Sequence, residues 1–131
     1  MRTRLWLAGI VVGLVAPLTL AVQDFSDIDG ELMKAMEDTN KFLEPDIGGR
    51  NKDSAKEGAQ FLLEGLQWTE QYFASKGPVA DAVKISQEGQ QHARDILQAL
   101  DKDEFEKAAA AARLLTKNCK SCHDLYKPRQ G

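Results

Sequence analysis

The stretch from about Asn51 or Asp53 to Ser75 constrains this chain's fold most tightly. Ala55, Ala59, Leu62, Leu66, Thr69 and Phe73 recur there in alternating steps of four and three. A helix with that spacing must bury one face against other helices. Phe61, Trp68 and Tyr72 broaden the face, and Lys76-Gly77-Pro78 stops it, since proline cannot continue a helix interior. Three further segments keep the same period. The first runs from about Asp29 to Leu43, with Leu32, Met33, Met36, Asn40 and Leu43 on one face, Asp27 as its cap, and Pro45 with Gly48-Gly49 as its end. The third runs from about Val79 to Leu100, with Ala82, Ile85, Gly89, His92 or Ala93, Ile96 and Leu100 inward. The fourth starts near Asp101 or Asp103 and reaches about Tyr126. Its stripe is Phe105, Ala109, Ala112, Thr116, Cys119, His123 and Tyr126, and Asp101, Asp103, Glu104 and Glu106 read as its acidic first turn. No segment reads as a strand. Four helices with short connections predict an all-α, antiparallel four-helix bundle.

Residues 1–21 read as an address. Arg2 and Arg4 precede the apolar run Leu5 to Ala16, Pro17 breaks it, and Thr19-Leu20-Ala21 offers a small residue for cleavage. That order is the pattern of an export signal. The alternative is a retained membrane anchor, because Leu5 to Val22 is uncharged over roughly the 18 residues a bilayer requires. Either way residues 22–131, a single domain, are expected outside the cytoplasm, in the periplasm. Losing the signal removes two arginines and no acids, so the formal charge of −3 becomes −5. An acidic surface repels phosphate backbones, which argues against nucleic acid. It suits a redox partner protein with a basic patch.

Both cysteines lie in Cys119-Lys120-Ser121-Cys122-His123, the C-x-x-C-H signature of covalent haem attachment. On a helix these spacings bring two sulfurs and an imidazole to one face. The thiols can then meet the two vinyl groups on one haem edge while His123 reaches the iron. Three other readings compete. A thioredoxin-like dithiol belongs where a strand enters a helix. Zinc needs four ligands, and Cys119, Cys122, His123 and His92 are all that the chain offers. A disulfide across two helical residues is strained and leaves His123 idle.

A haem motif on the last of four helices resembles the class II c-type cytochromes, the cytochrome c′ group. Cys119 to Lys127, with an aromatic and then a basic residue after the histidine, is similar to that family's ending. Leu32-Met33-Lys34 is similar to its apolar-Met-Lys stretch. The resemblance implies one haem c per chain on Cys119 and Cys122, His123 as proximal iron ligand, and Met33 on the distal side, with Met36 as second choice. It also implies pairing into a homodimer through the first two helices. Family members often carry an arginine near a haem propionate where this chain has Asp29, and the connections here are shorter. With Met/His ligation the expected role is one-electron transfer, not enzymatic catalysis. An empty sixth position would instead give a haem protein that binds NO or CO. His92 is expected at the bundle edge, with bis-His ligation as its alternative role. Tyr126 is expected to pack in the core near the proximal side, Trp68 and Phe73 to be core aromatics in preference to an electron path, and Lys127 to be solvated.

Overall fold

A computed structural model of the protein describes residues 24–77 and 79–126. Four helices account for most of them: α1 (Gly30–Gly48), α2 (Lys52–Ser75), α3 (Ala80–Asp101) and α4 (Phe105–Tyr126). There is no strand among the described residues. Each helix packs against the one before and the one after, and α1 closes the ring on α4. Diagonal pairs do not pack. With connections this short, neighbours are antiparallel and the result is a four-helix bundle. Residues 1–21, expected to be an export signal, and Lys127 lie outside the described residues. Among those described, no helix is long and apolar enough to cross a membrane.

The first helix begins and ends differently from expectation. Its cap is Asp29, whose carboxylate accepts from the Leu32 N–H at 2.9 Å. This satisfies one of the orphan donors of the first turn. Asp27 instead reaches α2, accepting from Lys76 Nζ and Tyr72 Oη, each at 2.7 Å. At the other end α1 passes through Pro45 to Gly48. Proline forfeits one backbone bond there, but the extra turn buries Ile47, only 1 % exposed. Gly49 and Asn51 N–H groups then donate back to the Pro45 and Asp46 carbonyls.

The third and fourth helices divide one residue group that the sequence reading kept together. Asp101 ends α3 and Asp103 lies in the turn, so neither belongs to the first turn of α4. Their carboxylates accept from Lys56 and Lys52 on α2, at 2.6 and 2.8 Å. These exposed pairs add little stability. Along α4 the buried positions are Ala108, Ala111, Ala112, Leu115 and Asn118. Thr116, expected inside, is exposed and donates to Asn40 Oδ1 on α1 at 3.2 Å. On α3, Ala93 is fully buried and His92 half-buried, while Ser86 joins the core unannounced.

The core has two parts. The larger fills the end where α1 turns into α2 and α3 into α4, around Leu43, Ile47, Leu62, Ile96, Leu100 and Leu115. The smaller, Phe73, Val79 and Ala82 with Phe25, Ile28 and Tyr126 against them, closes the opposite end. Cys119 packs on the first part and Cys122 on the second. The motif therefore straddles the gap between them.

Candidate functional site

A cavity of about 740 Å³ opens between the two parts of the core. That lies within the 300–1,000 Å³ span common for small-molecule and cofactor sites. Cys119, Cys122, His123 and Tyr126 line it from α4, and Met33 and Met36 from α1. Leu66, Thr69 and Phe73 of α2 and Ile85 and Ser86 of α3 form the deep wall, and Lys34, Lys41 and Lys120 stand among the polar lining residues. His92 is not part of the lining. Its Nδ1 is buried without a hydrogen-bond partner, away from the chemistry gathered here.

Two cross-helix bonds set the register of α1 against α4. Arg113 Nη1 donates to Glu44 Oε1 at 2.8 Å, and Thr116 Oγ1 donates to Asn40 Oδ1 at 3.2 Å. From the second pair, about two helical turns towards the open end lead from Asn40 to Met33 and from Thr116 to His123. Met33 and His123 therefore stand level on facing helices, with the cavity between them.

Met36 sits one turn deeper and its sulfur is already placed. A β-carbon on Gly65 would fall 2.5 Å from Met36 Sδ, so the thioether fills the notch that this glycine leaves in α2. Met36 is 8 % exposed, whereas Met33 is half-buried with its side chain on the cavity. Of the two methionines, Met33 is the one free to serve as a donor.

Burial sets the chemistry of the thiols. It pushes Cys119 up to about 11, with the nearby Cys122 adding to the rise, and Cys122 up to about 11, with Asp81 adding. A nucleophilic dithiol requires the opposite shift, because the thiolate is the reactive species. Tyr126 is pushed up to about 12, first by burial and then by its bond to the Asp81 carboxylate. No group of three or more His, Cys, Asp or Glu side chains is placed to hold a metal among the described residues. A tetrahedral zinc site would need such a group. A haem iron asks the protein only for axial ligands.

Asn118 was not anticipated. It is 8 % exposed, lines the cavity, and its Oδ1 has no hydrogen-bond partner. The carboxamide nests against Gly89 of α3, where an added β-carbon would lie 2.6 Å from Oδ1. Nothing in the sequence flags a lone asparagine as core, since hydrophobic periodicity passes over it.

Two protonated thiols, an imidazole on the same helix, a thioether level with it and a largely apolar chamber suit haem in donor type and in size. No family model, curated protein or solved structure matches the chain.

Proposed function

We propose that this chain is an exported, periplasmic monohaem c-type cytochrome, resembling the class II group, that transfers single electrons. One observation carries the reading: Cys119, Cys122, His123 and Met33 line one cavity, where the α1–α4 register sets Met33 level with His123. The Cys119 and Cys122 sulfurs would form thioether bonds to haem c, tethering it at the junction of the two core regions. His123 would bind the iron from α4 and Met33 from α1. When bound, the haem supplies an iron that alternates between ferric and ferrous states.

The chain's own residues do the rest. Leu66, Phe73, Ile85 and Met36 give the chamber an apolar lining that excludes water and favours the less charged, reduced state. Lys34, Lys41 and Lys120 bring ammonium groups to a cavity lining that also holds Glu37 and Asp38; each is paired with a neighbouring carboxylate and would turn from it to a haem propionate. Lys34 thereby offers what Asp29, now a helix cap, does not. The acidic surface suits a partner with a basic patch. Phe42 on α1, 67 % exposed, leaves apolar surface for pairing with a second copy.

Visible absorption with and without CO tests the proposal on protein matured with haem. The expected result is covalently held haem, a low-spin spectrum with a methionine-to-iron band, and no change on adding CO. Rapid CO binding by the ferrous form would remove Met33 as a ligand and favour a gas-binding role. Absence of covalent haem would overturn the whole reading.

A further inference from the structure

Five aromatic side chains form a connected set between the cavity and the outside of α2. The Tyr126 ring, on the cavity wall, lies 5.0 Å from Phe73, and Phe73 lies 5.2 Å from Tyr72. Tyr72 stacks on Trp68 at 5.3 Å with 14° between the planes. Phe25 seals the inner end, 5.4 Å from Phe73 and 5.5 Å from Tyr126. Such spacings are ordinary for packed rings. The fate of the two phenol protons is not ordinary. Tyr126 Oη donates to Asp81 Oδ1, and Tyr72 Oη donates to Asp27 Oδ1 at 2.7 Å. An oxidised phenol is a strong acid and must shed its proton as the electron leaves. Each tyrosine of the set has a carboxylate in place to take it.

We propose that Trp68, Tyr72, Phe73 and Tyr126 form a relay through which an electron from the cavity quenches a one-electron oxidant at the surface. The inference rests on the haem reading above. The oxidant is a radical of the peroxyl or azidyl class, which takes one electron from Trp68 and leaves as an anion. The indole N–H proton passes to solvent. Tyr72 then returns an electron to Trp68 and its phenol proton moves to Asp27, while Trp68 recovers a proton from solvent. Tyr126 passes an electron across Phe73 to Tyr72, Asp27 gives its proton back, and the Tyr126 proton moves to Asp81. A bound, reduced haem would supply the electron that restores Tyr126, and Asp81 returns the proton. The net change is one oxidant reduced and one iron oxidised. The Lys76 ammonium lies 5.0 Å over the Tyr72 ring and pairs with Asp27 at 2.7 Å. A positive charge there makes Tyr72 a poor resting place for the missing electron.

Pulse radiolysis with azidyl radical tests the relay on haem-loaded protein that lacks residues 1–21 or, where they are retained, carries Trp6→Phe, so that Trp68 is the one tryptophan. Transient absorption should show an indolyl radical converting to a phenoxyl radical, then loss of both as ferrous iron becomes ferric. In ferric protein the phenoxyl signal should persist severalfold longer. Asp27→Asn should slow the first conversion severalfold, and Tyr126→Phe or Phe73→Leu the last stage. Tyr126→Phe keeps the ring and carries the test if Phe73→Leu fails to fold. Unchanged rates in Asp27→Asn and Tyr126→Phe, or equal radical lifetimes in ferrous and ferric protein, would overturn the relay. The first conversion needs no cofactor. A chain without covalent haem would therefore still show it while failing the proposed function, whereas a haem-bearing chain that quenches nothing fails the relay alone.

Discussion

The Met36 thioether fills the space that Gly65 leaves in α2: a β-carbon on Gly65 would lie 2.5 Å from its sulfur and 2.9 Å from its Cγ and Cε. The pair explains why two methionines one turn apart have different prospects. Gly89 makes a similar notch for Asn118 Oδ1 at 2.6 Å, with both Leu66 methyl carbons at 3.1 Å.

These notches respond differently to a methyl group. Met36 is unbranched and can swing into the cavity, and alanine gains about 1 kcal/mol of helix propensity over glycine. Gly65→Ala should therefore change stability by about 1 kcal/mol or less in either direction. At Gly89 three helices meet and Asn118 has little room to move, so Gly89→Ala should cost about 1–3 kcal/mol. Urea unfolding of haem-free protein measures both, and a larger loss at Gly65 would contradict the packing.

Spectroscopy separates the methionines. Met36→Leu conserves volume and should leave the low-spin spectrum of the haem-loaded protein intact, at a stability cost below about 1.5 kcal/mol. Met33→Ala should convert the iron to high spin and open it to CO. The reverse pattern would assign Met36 as the ligand.

The cysteines predict a pH response in the haem-free chain. Their folded values, about 11, lie above the ordinary thiol value of 9.0, mainly because of burial. A raised value stabilises the fold below the unfolded value, and that stability is lost as pH rises from 9 to about 11. Urea midpoints should fall across that window, and alkylation by iodoacetamide near neutral pH should be slow until the chain unfolds. Fast alkylation of folded protein would instead indicate a redox-active dithiol.

Asp27 acts at the acid end. Its hydrogen bond from Lys76, and then that from Tyr72, hold its carboxyl below the ordinary value of 3.8. A depressed value stabilises the fold above 3.8, and the contribution disappears as pH falls through the folded value. Asp27→Asn should be less stable than the parent at pH 6, and the gap should close as pH drops below 3.8. A gap of constant size would mean that the charge contributes nothing.

Several features were legible because they are local. The C-x-x-C-H spacing lies within one helix, so backbone geometry alone brings Cys119, Cys122 and His123 to one side. The α2 seam is equally explicit: Ala55, Ala59, Leu62, Leu66, Thr69 and Phe73 are all buried. The ends of α1 were not legible. Asp27 and Asp29 are both good caps, and the choice between them rests on Lys76 and Tyr72, some 45 residues away. Pro45 signals a stop, but burial of Ile47 carries the helix past it. Thr116, expected inside, is exposed and Asn118, given no place, is buried, because residue type says little about which side of α4 faces a particular neighbour.

By itself, then, the sequence determined four helices, their order, and the placing of two thiols and an imidazole on the last. Those are consequences of helical period and residue type. Resemblance favours Met33, but which methionine stands level with His123 at the chamber is decided by tertiary structure. That pairing depends on how far α1 slides along α4, which Glu44–Arg113 and Asn40–Thr116 set, and on the Gly65 notch that holds Met36 aside. Register between helices is a property of their packing, and no single helix encodes it.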